Sequence, residues 1–341
     1  MMDSLASSLS PTSIEPIPSD VLLFSGNGNK DFANKVCNHL SMSLIDCNIK
    51  KFANDEIGLI INESVRGKDC FIIQSTAKSE DNSPNDNLME LFIMIDALRR
   101  GSAKNINVIM PYYAYSRQDR KDYSRAPISA SMVAQCLEHL NIDRMVVYDL
   151  HAGQIGGFFS NKVPLDNLYV EPYFIKYIND KYTMNEIVIV APDEGACKRA
   201  ARMSGKLNCD CATIYKERKV ANEVDKMQLF GDVNGKIAIL VDDMIDTGGT
   251  ACKAANVLIE RGAKDVLMFA CHGLLSKNAV DRIEGSCFSK VVVTNTVHMP
   301  DKVLSCPKIE VIDVTKLCAK VIGNIVSGES ISNLYSSKNP E

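Results

Sequence analysis

Two stretches decide the fold: residues 26–40 read "GNGNKDFANKVCNHL" and residues 193–207 read "DEGACKRAARMSGKL". Laid together they put Gly28 on Gly195, Ala33 on Ala200 and Leu40 on Leu207, each pair 167 positions apart. The apolar residues of both keep a helical period. Further along, "VRGKD" from Val65 meets "VNGKI" from Val233, and "RRGSAKNINVIM" from Arg99 meets "ERGAKDVLMF" from Glu260. Three matches in the same order imply a duplicated unit.

The unit is α/β. Val- and Ile-rich runs ("VLLF", "CFIIQS", "INVIM" and "RMVVYDL" in the first half, "IVIVAPD", "IAILVDD", "VLMFACHG" and "KVVVTNT" in the second) alternate with helical patterns. That alternation predicts mainly parallel sheets covered by helices on both faces. The expected organisation has an N-terminal domain over 19–167 and a C-terminal domain over 168–323, with a tail over 324–336 packing back on the first. Residues 1–18, rich in Ser and Pro, read as a disordered extension. They carry no Lys or Arg, which excludes a secretory or mitochondrial leader.

Composition narrows the function. The 341 residues are 46% hydrophobic with a formal net charge of −4, which argues against general binding to nucleic acid or to an anionic membrane. No apolar run has the length of a membrane span. The twelve cysteines are scattered without a C-x-x-C or Cys/His spacing, so they read as reduced thiols of a cytoplasmic protein. Cys136 and Cys271, among apolar neighbours, read as small hydrophobes.

Ligands of open α/β sheets bind beyond the carboxyl ends of the strands. There the run "KIAILVDDMIDTGGTACKAA", from Lys236, ends a greasy strand on Asp242 and Asp243. A turn with two glycines follows, where backbone N–H groups can approach an oxyanion, and then a helix expected to begin near Thr250. Carboxylates for hydroxyls beside a cradle for phosphate suit a sugar phosphate. Other strand ends carry "SRQDRKDYSR" with Arg117, Arg120, Lys121 and Arg125, "DLHAGQIGGFF" from Asp149, "APDEGACKR" from Ala191 and "YKERKVANEV" from Tyr215. The basic loop suggests a polyphosphate partner. Phe52 in "KKFANDE", taken by itself, reads as a core side chain.

The acidic strand and its loop resemble the phosphoribosyl-diphosphate loop of type I phosphoribosyltransferase folds. From Leu22 to Tyr335, "NDNLMEL", "SRAPISA", "DLHAGQI", "KERK", "VDDMIDTGGT" and "VVVTNT" together resemble the ribose-phosphate diphosphokinase family. That resemblance implies two tandem type I phosphoribosyltransferase-like domains. It also implies transfer of the β,γ-diphosphoryl group of ATP to the C1 hydroxyl of ribose 5-phosphate with Mg²⁺. Lys216 and Arg218 take the catalytic role, with Arg218 also on the sugar phosphate. Phe52, Asn54, Asp55, Glu56, Arg117 and Gln118 take ATP. Asp242, Asp243, Asp246, Thr247, Gly248, Gly249 and Thr250 hold ribose 5-phosphate, and His151 and Asp193 hold the metal. The resemblance further implies phosphate as an activator and a homo-oligomer in which a neighbour's residues 54–56 reach the adenine.

Three departures sit near the family's regulatory region: the stretch Ser160, Asn161, Lys162, then Gly156 in place of a Gln, and Tyr123 in place of a Lys. The rival readings are a non-catalytic regulatory partner of an active synthetase, a true phosphoribosyltransferase, and a nucleic-acid binder using the basic loop. The unbroken "KERK", "SRQDRK" and "VDDMIDTGGT" weigh against the first.

Overall fold

The computed structural model describes residues 16–217, 226–332 and 334, apart from the side chains of Lys216, Glu217 and Lys226. Most of the N-terminal extension, and Arg218 among the expected catalytic residues, therefore lie outside the described residues.

The first half runs β1 (Val21–Ser25), α1 (Lys30–Leu40), β2 (Cys47–Lys51), β3 (Ile57–Ile61), β4 (Asp69–Ile73), α2 (Pro84–Arg100), β5 (Asn105–Met110), α3 (Ser129–His139), β6 (Arg144–Tyr148) and β7 (Leu165–Leu168). Its sheet has the order β1-β4-β5-β6-β7 and is parallel throughout. The second half runs α4 (Glu171–Lys181), β8 (Ile187–Ala191), α5 (Cys197–Leu207), β9 (Asp210–Glu217), β10 (Lys226–Phe230), β11 (Ile237–Ile245), α6 (Gly249–Glu260), β12 (Asp265–Gly273), α7 (Ala279–Glu284), β13 (Lys290–Thr294), α8 (Asp301–Leu304), β14 (Ile309–Ile312) and α9 (Thr315–Ser327). Its sheet has the order β10-β9-β8-β11-β12-β13-β14 and is mixed, because β10 pairs antiparallel with β9. The central strands are buried along almost their whole length, as runs such as "IVIVA" and "VLMFACHG" require when helices cover both faces.

The duplication is visible bond by bond. Gly67 N donates to Ser102 O (2.9 Å) and Gly235 N to Gly262 O (2.8 Å). Lys68 N and Lys236 N each reach back to a valine carbonyl, Val65 or Val233, at 3.1 Å. Lys104 N then meets Lys68 O, and Lys264 N meets Lys236 O, both at 2.8 Å. Gly67 and Gly235 share a left-handed φ of about 70° that glycine adopts without strain. The halves differ in their hairpins. β9–β10 extends the second sheet, whereas β2–β3 pairs only with itself and packs Cys47, Ile49, Leu59 and Ile61 against the core of the first half, just after a bridge between Leu23 and Leu44.

One strand runs further than its sequence predicts. β11 does not end on Asp242 and Asp243 but continues to Ile245, held on one side by β12 through Met244↔His272 and Ile245↔Gly273. Its other neighbour, β8, stops pairing at Leu240↔Val190. The two acids therefore stand where one edge of the strand has come free. An apolar cluster containing Leu23, Phe32 and Val36 of the first half with Ile189, Phe269 and Val321 of the second joins the halves. Helix α9 packs on α1, and Ile331 and Leu334 pack against the same cluster.

Candidate active site

The free edge of β11 is where charge gathers. Asp243 is 5% exposed, and its Oδ2 lies 2.9 Å from His151 Nδ1. Asp242 Oδ1 accepts from Asp243 N at 2.9 Å. Burial, then Asp243 and then Asp193 push the Asp242 carboxyl well above the ordinary range. Burial also acts on Asp243, but the hydrogen bond and charge of His151 overcome it and hold this carboxyl low. The same bond raises His151 against the effect of its own burial. Asp193 caps the turn before α5, its Oδ1 accepting from Ala196 N at 3.3 Å.

His151 is held in place from below. The backbone turns at Asp149, whose φ is +36° and whose side chain is fully buried. Asp149 Oδ2 accepts from Val170 N at 2.9 Å, and its Oδ1 pairs with Arg199 Nη1 of α5 at 2.5 Å. A buried carboxylate is tolerable on these terms, with one charged partner and one backbone donor.

The loop after β11 carries Asp246 to an ion pair with Arg117, Oδ2 to Nη1 2.8 Å. Arg282 of α7 donates to the Thr247 carbonyl. Gly248, at φ +70°, is the residue from which α6 starts at Gly249, one position earlier than expected. The turn thus ends on the positive pole of a helix of 12 residues, suited to an anion.

His151, Asp193, Asp242, Asp243, Asp246 and Arg117 are thus linked, directly or through one another. Other sequence candidates are placed apart. The Gln118 side chain accepts from Ser129 Oγ. Phe52 is 52% exposed, so it is not a core residue: it opens the β2–β3 turn, where Phe52 N meets Glu56 O at 2.7 Å and its ring covers Gly58. Asn54 and the left-handed Asp55 complete that exposed turn, and none of its hydrogen bonds reaches the site around Asp243. Lys216 lies on β9 opposite Met227.

Comparison with known proteins fits this arrangement. The family model for the N-terminal domain of ribose phosphate pyrophosphokinase matches residues 21–140, and that for the phosphoribosyl synthetase-associated domain matches residues 219–336. The chain is 45% identical over 316 residues to ribose-phosphate pyrophosphokinase A of Dictyostelium discoideum, covering 93% of this chain and 98% of that one. The chain belongs to the ribose-phosphate pyrophosphokinase family. The crystal structure of phosphoribosylpyrophosphate synthetase from Mycobacterium smegmatis superposes with a TM-score of 0.84 at 39% identity. It covers 90% of this chain and 99% of that one.

Within this pyrophosphokinase-family enzyme, four residues escape sequence reasoning. Asp149 and Arg199 orient His151, Arg282 holds the loop, and His272 sits fully buried beneath the site between Tyr148 O and Thr296 Oγ1. Only Asp149 and Arg199 gave a signal, by lying inside motifs whose neighbours drew the attention. Among the described residues no helix is long and apolar enough to cross a membrane.

Proposed function

We propose that the enzyme transfers the β,γ-diphosphoryl group of ATP to the C1 hydroxyl of ribose 5-phosphate, giving 5-phosphoribosyl 1-diphosphate and AMP. The observation that carries this reading is the junction of Asp242 and Asp243 with the bare loop from Asp246 to Gly249, which Arg117 reaches from the basic loop of the other half. Carboxylates face the sugar hydroxyls, the loop and the α6 N-terminus face the 5-phosphate, and Arg117 faces the polyphosphate. Substrate binding must part Arg117 from Asp246, which frees both.

In the step itself the C1 oxygen attacks the β-phosphorus in line. Its proton leaves, the bond between the β-phosphorus and the α–β bridging oxygen breaks, and AMP departs with that oxygen. Catalysis then rests on positioning and charge neutralisation. Lys216, on β9, and Arg218 are assigned to the transferring group. Gln118 stays with ATP, as do Phe52, Asn54, Asp55 and Glu56, which their exposed turn offers to a neighbouring subunit of a homo-oligomer.

The residues fit a magnesium ion. The Asp242 carboxyl is disfavoured as an anion first by burial and then by Asp243 and Asp193, and a cation would relieve that surplus of negative charge. With Nδ1 committed to Asp243, His151 keeps Nε2 for a metal or its water. No cluster of three protein ligands forms among the described residues, which suits an ion that keeps waters and substrate oxygens. His151 and Asp193 would hold it, and it would neutralise phosphate charge.

The test is to incubate the protein with ATP, Mg²⁺, inorganic phosphate and ribose 5-phosphate and to separate the nucleotides. AMP appearing only with ribose 5-phosphate is the expected result, and omission of phosphate measures its role as activator. ADP in its place would mean an ordinary kinase. No turnover from an intact oligomer would favour the regulatory partner. Lys216→Ala should lower kcat by two or more orders of magnitude, the scale of ~3 kcal/mol or more of lost transition-state charge stabilisation. Ribose 5-phosphate binding should persist, and near-normal turnover would remove Lys216 from the mechanism.

A further inference from the structure

The duplication gives the first half a place equivalent to the site just described. In the second half that site lies between the loop after β8, the loop after β11 and the end of β9. Sheet order and repeat match β1 to β8, β4 to β11, and the β2–β3 hairpin to β9–β10. At the corresponding place, between the loop after β1, the loop after β4 and the end of β2, lies a cavity of about 530 Å³. That volume is within the range of small-molecule sites.

Its floor is built. Glu90 is 1% exposed and has no cationic partner among the described residues. Its carboxylate instead takes Asn27 N, Asn27 Nδ2 (2.8 Å), Gln74 Nε2 (3.0 Å) and Asn82 Nδ2 (3.3 Å). This network fixes two lining amides, and Gln74 Oε1 in turn accepts from Gly28 N at 3.0 Å. A Cβ on Gly28 would stand 2.0 Å from Ser75 O, so the loops after β1 and β4 close on each other only because Gly28 has none.

The walls carry charge of both signs. Lys51 is engaged by Asp86 at 3.3 Å, and Asp31 by Lys35 at 2.9 Å. Lys30 and Lys50, also lining the cavity, meet no carboxylate within ion-pair distance among the described residues, while Glu80 and Asp81 stand exposed at its rim. Lysines free for a phosphate beside exposed carboxylates for hydroxyls, over amides that Glu90 holds in place, parallel the chemistry of the Asp243 site with different residues. Gln74 and Ser75 stand where the repeat puts Asp242 and Asp243, and the loop after β4 has no two-glycine turn, so the cavity is not a second copy of the reaction centre. His298 lines both this cavity and a smaller one holding Arg117 and Asp246.

We infer that this cavity is a second binding site for a ribose phosphate monoester, taken as free sugar phosphate or as nucleoside monophosphate. The chemical class rests on the reading of the Asp243 site given above.

Equilibrium dialysis of the full-length protein with labelled ribose 5-phosphate, and separately with AMP, tests it. Four proteins are compared: the native chain, Lys30→Glu/Lys50→Glu, Asp242→Asn/Asp243→Asn, and the four changes combined. The lysines are exposed, so the fold should tolerate their change, and circular dichroism checks it; Lys30→Gln alone serves if it does not. The native chain should bind two equivalents of ribose 5-phosphate and each double variant one, making the free sugar phosphate the occupant. AMP binding to the aspartate variant, lost on adding the lysine changes, would instead identify the nucleotide. If neither ligand saturates a site sensitive to Lys30 and Lys50, the inference falls. Ribose 5-phosphate binding that ignores the aspartate changes would overturn the reading of the Asp243 site instead.

Discussion

Asp243 and Asp242 are chemically the same side chain one residue apart, yet their surroundings drive them in opposite directions. Asp243 gains the His151 imidazole and stays an anion; for Asp242, burial and two neighbouring carboxylates outweigh the one backbone bond from Asp243 N. Adjacent strand residues point to opposite faces, so the pair offers its charge on two sides of one strand. Arg282 shows how a residue outside the site supports it. Its guanidinium holds the Thr247 carbonyl and would lie 3.5 Å from a Cβ at Gly249. Arg282→Ala should therefore raise KM for ribose 5-phosphate about tenfold with kcat little changed, since a hydrogen bond from a charged group contributes on the order of 1.5 kcal/mol. Arg282→Lys should recover part of the loss. Steady-state kinetics that show kcat falling with KM unmoved would exclude this positioning role. Nothing in the sequence around Arg282 marks it, because its partner is a backbone carbonyl that any residue could supply.

At the scale of elements, the sequence makes the buried strands plain and the edge strands obscure. β8, β11, β12 and β13 are continuous Val/Ile-rich runs because both faces are covered. β7 and β14, at the sheet edges, are shorter and more mixed, "LDNL" and "IEVI", and carry no comparable signal. The end of β11 was misread for a related reason: acids conventionally stop a buried strand, but here one neighbour continues after the other has left. The turn at Gly248 was legible, since two adjacent glycines have few other uses between a strand and a helix. Gly248→Ala puts a side chain at φ +70°, where a Cβ would have room, its nearest neighbour being Ile283 at 3.8 Å. The cost is therefore conformational, about 1–2 kcal/mol. It should appear as a lower urea midpoint with an unchanged m-value. An unshifted midpoint would mean that the loop relaxes to another conformation, in which case KM for ribose 5-phosphate should rise.

At the scale of the whole molecule, what joins the halves decides whether a site assembled from both can exist. The sequence predicts the two units but not the contacts that join them, because the apolar cluster and the polar bonds alike pair residues far apart in the chain. Asn29 Nδ2 donates to Asn295 O (2.9 Å), Ser75 Oγ to Thr296 O (2.9 Å), and Asp149 meets Arg199. His272, only 2% exposed, is another of these links. Its Nε2 lies 3.1 Å from Tyr148 O in the first sheet, so that nitrogen carries the proton, and Nδ1 accepts from Thr296 Oγ1 at 2.9 Å. Tyr112 stands edge-on to the ring at 5.1 Å. Complete burial lowers its pKa below the ordinary value of about 6.5, although Asp243 and Asp149 and the bonds to the backbone pull the other way. A base with a depressed folded pKa takes up fewer protons in the native state than in the unfolded chain. Stability is therefore full above the unfolded value and falls as pH drops below about 6.5, levelling once the folded pKa is passed. His151, whose pKa is raised, acts in the opposite sense, so the native chain alone would report only a difference. Comparison with His272→Gln isolates the effect. The variant can keep a donor for Tyr148 O and cannot titrate, so the native chain should lose more of its urea midpoint between pH 7.5 and pH 5.5 than the variant does. Equal losses in the two proteins would show that His272 takes up protons alike in the folded and unfolded chain, so that its folded pKa is not depressed and acid weakens the joint elsewhere.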